Sequence, residues 1–217
     1  MTTTTNHKTG DSSNLLFAAI IGVVLVLGAA LVAVMATSRN EGGAGAATGE
    51  VTITGDSLPP MEDTNPFTSK ESDPAYGLVA PSLAGTDFDG NEITIEPTGR
   101  PAVIYFLAHW CGFCQAEVPV IQQLVDEGAV PEGVDIYAVS TSYQANSGGH
   151  PKLWLEGEEF TVPTMRDDDV NSALHAFGSG NFPYAVYLDQ DHKVIARSTG
   201  SIPKGDMEQL WNIAADS

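Results

Sequence analysis

Cys111 and Cys114 stand three residues apart and are the only two cysteines in the chain. A dithiol at that spacing can give or take two electrons as a disulfide closes or opens. If the pair opens a helix, Cys111 sits where unpaired N–H groups and the helix dipole favour an anion, and the thiolate is the nucleophile of disulfide exchange. Cys114 then lies one turn on, close enough to attack a mixed disulfide on Cys111 and release the substrate. Cys111 is therefore the expected nucleophile and Cys114 the expected resolving thiol. Glu117, three residues beyond Cys114, could carry protons to and from a buried resolving thiol, or be an exposed helix carboxylate. Trp110 could stack beside the pair and limit solvent, or simply pack in a core. His109 either raises thiolate character or points away at a strand end.

Other uses of a CxxC pair fit less well. Haem attachment needs a His directly after the second cysteine, and Gln115 stands there. Structural zinc needs two more ligands at matching spacing, and no second CxxC or HxxxH exists. A peroxidatic cysteine would not need Cys114, and the residues before Cys111 lack the Pro and Thr/Ser of such sites. His7, His150, His175 and His192 form no ligand spacing, and Asp167-Asp168-Asp169 lacks the alternation and Gly of a calcium loop. Neither a cofactor nor a metal is expected. The formal net charge of −19, from 28 acidic and 9 basic residues, argues against nucleic acid as a partner.

The elements that must position the dithiol are legible around it. Ala102 to Ala108 is a continuous apolar run of the kind found in a strand buried on both faces. The motif follows directly, and a helix should run on through Gln122, Leu124 and Val125 to end near Gly128. Pro119 removes a hydrogen bond to the Gln115 carbonyl and should bend that helix. Upstream, Leu83 to Phe88 and Glu92 to Ile95 flank the turn residues Asp89-Gly90-Asn91 as a hairpin. Downstream come strands at Val134 to Ser140 and Thr161 to Met165, and a helix over Val170 to Phe177. A second hairpin, Tyr184 to Asp189 with Lys193 to Ser198, precedes a last helix carrying Met207, Leu210, Trp211 and Ala214. Ser142 to Phe160 reads as an insertion beside the sheet. The whole implies one mixed α/β sandwich over residues 77–217.

Ahead of it, residues 1–14 are a short tail. Leu15 to Ala36 is uncharged and almost wholly apolar, long enough for a bilayer core that takes about 20 helical residues. A single transmembrane anchor in a lipid bilayer is expected, with a cleaved signal peptide as the rival. Residues 37–76 are rich in Gly, Ala, Ser, Thr and Pro and read as a flexible linker. Disulfide chemistry fits a catalytic domain held outside the cytoplasm.

The run Trp110-Cys111-Gly112-Phe113-Cys114-Gln115-Ala116-Glu117-Val118-Pro119 resembles the membrane-tethered TlpA/ResA-like branch of the thioredoxin superfamily, and the likeness spans residues 80–217. It implies a three-layer α/β/α sandwich with a mixed central sheet. It implies Glu117 near the dithiol and a cis-proline opposite it, at Phe182-Pro183 rather than Val162-Pro163. Trp110, Phe182 and Pro183 would then contact the substrate. Thioredoxins proper bury an Asp where Tyr105 stands, leaving Glu117 as the acid, and the Gly112-Phe113 pair leaves the direction of electron flow open. The implied activity is thiol–disulfide oxidoreduction on protein thiols and disulfides, with a redox partner protein. A peroxide reductase and a copper(I) chaperone using the same pair are the alternatives.

Overall fold

The computed structural model describes residues 1, 45–61 and 72–217. Its central sheet has five strands in the order β6-β5-β4-β7-β8. The strand in the middle, β4 (Ala102–Leu107), is buried at every position, as its run of branched and aromatic side chains requires. β5 (Asp135–Ser140) and β6 (Thr164–Arg166) extend the sheet in parallel on one side. β7 (Tyr184–Leu188) and β8 (Val194–Thr199) add an antiparallel hairpin on the other. A second, three-stranded antiparallel sheet is built from β1 (Thr52–Thr54), β2 (Ser82–Thr86) and β3 (Glu92–Ile95).

Alternation along β4 divides the core in two. Val103, Tyr105 and Leu107 pack with Val118, Ile121 and Leu124 of α1 (Gly112–Asp126) and with Met207 and Trp211 of α4 (Lys204–Ala215). Leu155 of α2 (Pro151–Gly157) joins this side. Ala102, Ile104 and Phe106 face Leu83 and Ile95 of the small sheet and Ala173 and Leu174 of α3 (Ser172–Ala176). A large apolar side chain removed from water in this way contributes about 1.5–3 kcal/mol. The mixed α/β sandwich expected from the sequence is the architecture found.

Two expectations change. The linker read over 37–76 is not all linker: β1 pairs with β2 in the register Ile53↔Leu83, and Leu58, Asp73 and Ala75 are buried. One compact unit runs over Ala44–Ser217, so a boundary at 77 is too late. Polar composition hides this because residues 45–61 and 72–76 are held by partners far along the chain. The expected insertion also contains an element of its own, α2, whose N-cap His150 accepts the Lys152 amide through Nδ1 at 3.2 Å. The transmembrane span expected over 15–36 lies outside the described residues. Among the described residues no helix is long and apolar enough to cross a membrane.

Candidate active site

The chain leaves β4 through a tight turn in which the Cys111 amide donates to the Ala108 carbonyl at 3.0 Å, and α1 begins at Gly112. Cys111 is the N-cap, with extended backbone angles (φ −81°, ψ 116°) and no side-chain capping bond. Ser, Thr, Asp or Asn usually stands at an N-cap and satisfies the first amides. Here a sulfur occupies that place, and the helix keeps its electropositive end for whatever charge the sulfur carries. α1 ends where Gly128, at φ +70°, reverses the chain and lets the Ala129 amide reach the Leu124 carbonyl at 2.9 Å.

Both cysteines are free thiols and both are buried, Cys111 at 9% exposure and Cys114 fully. Cys111 Sγ lies 3.8 Å from the Phe182 carbonyl oxygen. Cys114 Sγ accepts the Ala108 amide at 3.4 Å. Burial pushes the Cys114 thiol up, against that amide and helped by the neighbouring Cys111 and by the charge of Glu117. Cys114 is thus held as a thiol, and its proton needs an acceptor before the sulfur can react.

Glu117 is only 5% exposed, so the alternative of a solvated helix carboxylate does not hold. Burial pushes it up to about 7, against the Ile202 amide, which donates to Oε2 at 3.0 Å, and the Ser201 side chain. No cation pairs with it among the described residues. A carboxyl that titrates near neutrality behind a protonated thiol can take up and return a proton. Tyr105 lies fully buried in the same layer, its hydroxyl accepting the Trp211 indole N–H at 2.8 Å. Burial, Tyr187 and Glu117 all push the Tyr105 phenol well up. Tyr105 is thus a neutral hydrogen-bonding group in this layer.

The remaining residues singled out from the sequence converge on the same end of the sheet. The Phe182–Pro183 peptide is cis, and the Val162–Pro163 peptide is not. The Trp110 and Phe182 rings meet edge to face at 5.9 Å. Phe113, between the cysteines, is 65% exposed. His109 is turned away from the thiols: its Nε2 donates to the Ser147 carbonyl at 2.7 Å. Sequence reasoning missed Ser201 and Ile202, which hold Glu117 from the loop before α4. It also missed Ser142, whose carbonyl accepts the Trp110 indole N–H at 2.6 Å. No local pattern marks these residues, because each contributes a backbone group or a hydroxyl from a loop distant in sequence.

A mixed sheet in this strand order, helices on both faces, and a dithiol at the head of the helix after the central strand define a thioredoxin-like fold. The chain belongs to the redoxin family, which matches residues 54–211. It is 31% identical over 152 residues to the thiol-disulfide oxidoreductase ResA of Geobacillus thermodenitrificans, a match covering 67% of this chain and 80% of that protein. Among solved structures, a DsbF homologue from Corynebacterium diphtheriae superposes with a TM-score of 0.59 at 13% identity, covering 73% of this chain and 99% of that one. A thiol:disulfide interchange protein of the thioredoxin family from Chlorobium tepidum gives a TM-score of 0.55 at 22% identity, over 65% of this chain and 98% of that one. At such identities these two structures speak for the fold.

Proposed function

We propose that this chain is a thiol–disulfide oxidoreductase that exchanges electrons with protein cysteines through Cys111 and Cys114. In the reducing direction the Cys111 thiolate attacks a substrate disulfide, a mixed disulfide forms, and the displaced substrate sulfur leaves as a thiolate that takes its proton from solvent. Glu117 accepts the Cys114 proton, and the Cys114 sulfur attacks Sγ of Cys111. The second substrate sulfur leaves, and two electrons have passed from the dithiol to the substrate while an internal disulfide has closed. A redox partner protein reopens that disulfide. Run backwards, the same steps oxidise a protein dithiol. Trp110, Phe182 and Pro183 form the surface on which the polypeptide lies, with the Phe182 carbonyl available to an extended chain.

The observation that carries this reading is the coincidence, within one stretch of α1, of a helix-capping cysteine, a buried thiol held protonated, and a carboxyl poised near neutrality. Reduction of insulin by the purified chain tests it. Turnover should be abolished in Cys111→Ser, while Cys114→Ser should accumulate the mixed disulfide. Stoichiometric retention of copper(I) with no turnover would favour a metallochaperone, and equal turnover of peroxide would favour a peroxide reductase. Equilibration with glutathione gives the direction: a potential near about −270 mV marks a reductant and one near about −120 mV an oxidant.

We further propose that residues 15–36 anchor the chain in a bilayer, with the catalytic domain outside the cytoplasm. The support is the uncharged apolar run, and the persistence of disulfide substrates in oxidising compartments. Carbonate extraction of membranes and protease protection check the two halves of that statement separately.

A further inference from the structure

A buried polar network outside the dithiol begins where β5 ends and leads back to Trp110. Thr141, 2% exposed, donates its hydroxyl to Oδ2 of Asp167 at 2.6 Å, and its amide to the Leu107 carbonyl at 3.0 Å. Asp167, 1% exposed, also accepts the amides of Asp168 and Ala173, each at 2.9 Å, and that of Leu174 at 3.2 Å. It therefore welds β6 to the start of α3. Ser142, which follows Thr141, and Asn171, four residues beyond Asp167, are both left-handed, at φ 54° and 60°. The Ser142 amide donates to Oδ1 of Asn171 at 2.8 Å, and the Ser142 carbonyl accepts the Trp110 indole N–H at 2.6 Å.

Asn171 stands at the N-cap of α3 yet makes no capping bond with its side chain. An Asn in that position ordinarily serves the amides of its own helix. Here Asp167 and Asp168 serve them instead, Asp168 Oδ1 taking the Ser172 amide at 2.9 Å, and the Asn171 amide group is directed to another loop. The loop it holds is pinned again at its far end. The His109 ring is bonded to the Ser147 carbonyl, and Gly148, at φ +72°, lies so close to the motif that a Cβ there would meet the His109 oxygen and Trp110 Cα at 3.0 Å. Both ends of the 142–148 loop are thus fastened to the residues immediately before Cys111.

We propose that Asn171 is a positioning residue for substrate docking: by holding Ser142 in its left-handed conformation it fixes the Trp110 indole against Phe182, as one wall of the surface beside Cys111. Asn171 touches no reacting atom and acts through Trp110. The inference rests on the reading of Trp110 and Phe182 as substrate contacts. It makes the 142–148 loop part of the docking surface, so that its fastening governs how tightly a protein disulfide is held and leaves the sulfur chemistry alone.

Three variants of the full chain test it: Asn171→Ala, Asn171→Gly and Asn171→Asp. Two quantities are read, the KM and kcat for insulin reduction and the indole N–H resonance of Trp110, assigned by its loss in Trp110→Phe. Ala and Gly both remove the acceptor, but Gly adopts the left-handed conformation freely. Both should move the Trp110 resonance and raise KM about tenfold, the equivalent of about 1.4 kcal/mol, with kcat not following. Alkylation of Cys111 by iodoacetamide should keep its rate, and Asp, which retains the acceptor, should restore the wild-type KM and resonance. A Gly variant indistinguishable from wild type overturns the proposal, because backbone shape alone would then account for Asn171. Loss of kcat and alkylation rate together also overturns it. If Ala does not fold, the Gly and Asp pair decides. Turnover surviving in Cys111→Ser would sink the proposed function instead, and the Trp110 resonance would still report on Asn171.

Discussion

Two carboxylates buried on opposite faces of the central sheet, Asp73 and Glu117, are treated in opposite ways. Behind β8, Asp73 meets Arg197, a residue with no exposed surface, in a two-pronged ion pair with Nε to Oδ2 at 2.9 Å. Arg197 also donates Nη1 to the Pro59 carbonyl at 2.9 Å and to the Tyr184 hydroxyl at 3.2 Å. That face clamps the segments before β2 onto the sheet. On the other face, Glu117 has an amide and a hydroxyl but no cation among the described residues, and burial pushes it up to about 7. The guanidinium makes Asp73 a fastening, and four hydrogen bonds do the same for Asp167, whereas Glu117, with fewer donors and no cation among the described residues, can change its charge under ordinary conditions. The face that holds the unmatched carboxyl also holds the dithiol.

The comparison breaks most visibly at Arg197. Arg197→Met takes the guanidinium away from the buried Asp73 carboxylate and should cost about 3–5 kcal/mol in urea unfolding. Insulin reduction should persist while the variant is folded, since the pair takes no part in exchange. A large loss of turnover with little loss of stability would show that the two faces are not separable.

Glu117→Gln should do the reverse. Turnover near pH 7 should fall by about a hundredfold, the usual weight of a positioned acid–base group. A rise in rate with pH is expected of wild type around 7, where Glu117 becomes a base, and it should be absent from the Gln profile. Stability carries the same signature with a definite sign. Because the folded carboxyl binds its proton more tightly than the unfolded one, its contribution is whole below about 4.5 and is lost as pH rises through about 7. The loss is on the order of 3 kcal/mol, and Gln should abolish that slope in unfolding midpoints measured from pH 5 to 8. The smallest effect is expected at Lys204→Ala. Its 2.7 Å bridge to Glu127 joins α4 to the end of α1 in solvent, and its removal should leave the unfolding midpoint unmoved.

The same contrast explains what could be read in advance. β4 is legible because a strand covered on both faces needs an unbroken apolar run, and α1 because the motif and Gly128 mark its head and end. β1 was not legible: Thr52-Ile53-Thr54 is three residues in a polar stretch, and its reason for being a strand is the edge of β2. Asp73 lies in the polar stretch that reads as linker, and only Arg197, distant in sequence, gives it a place in the core. His109 had two readings from its position, and the Ser147 carbonyl decided between them.

Local chemistry in the sequence determined the dithiol, its place at the junction of a buried strand and a helix, and the presence of an acid three residues further on. Those features depend on spacing and on the periodicity of strand and helix, which neighbouring residues carry in full. Whether that acid is solvated or buried, whether it has a counter-ion, and which carbonyl steadies Trp110 were decided only by tertiary structure. Protonation and side-chain orientation answer to the dielectric and to partners brought in by the folded chain, and here those partners come from loops that no local pattern connects to the motif.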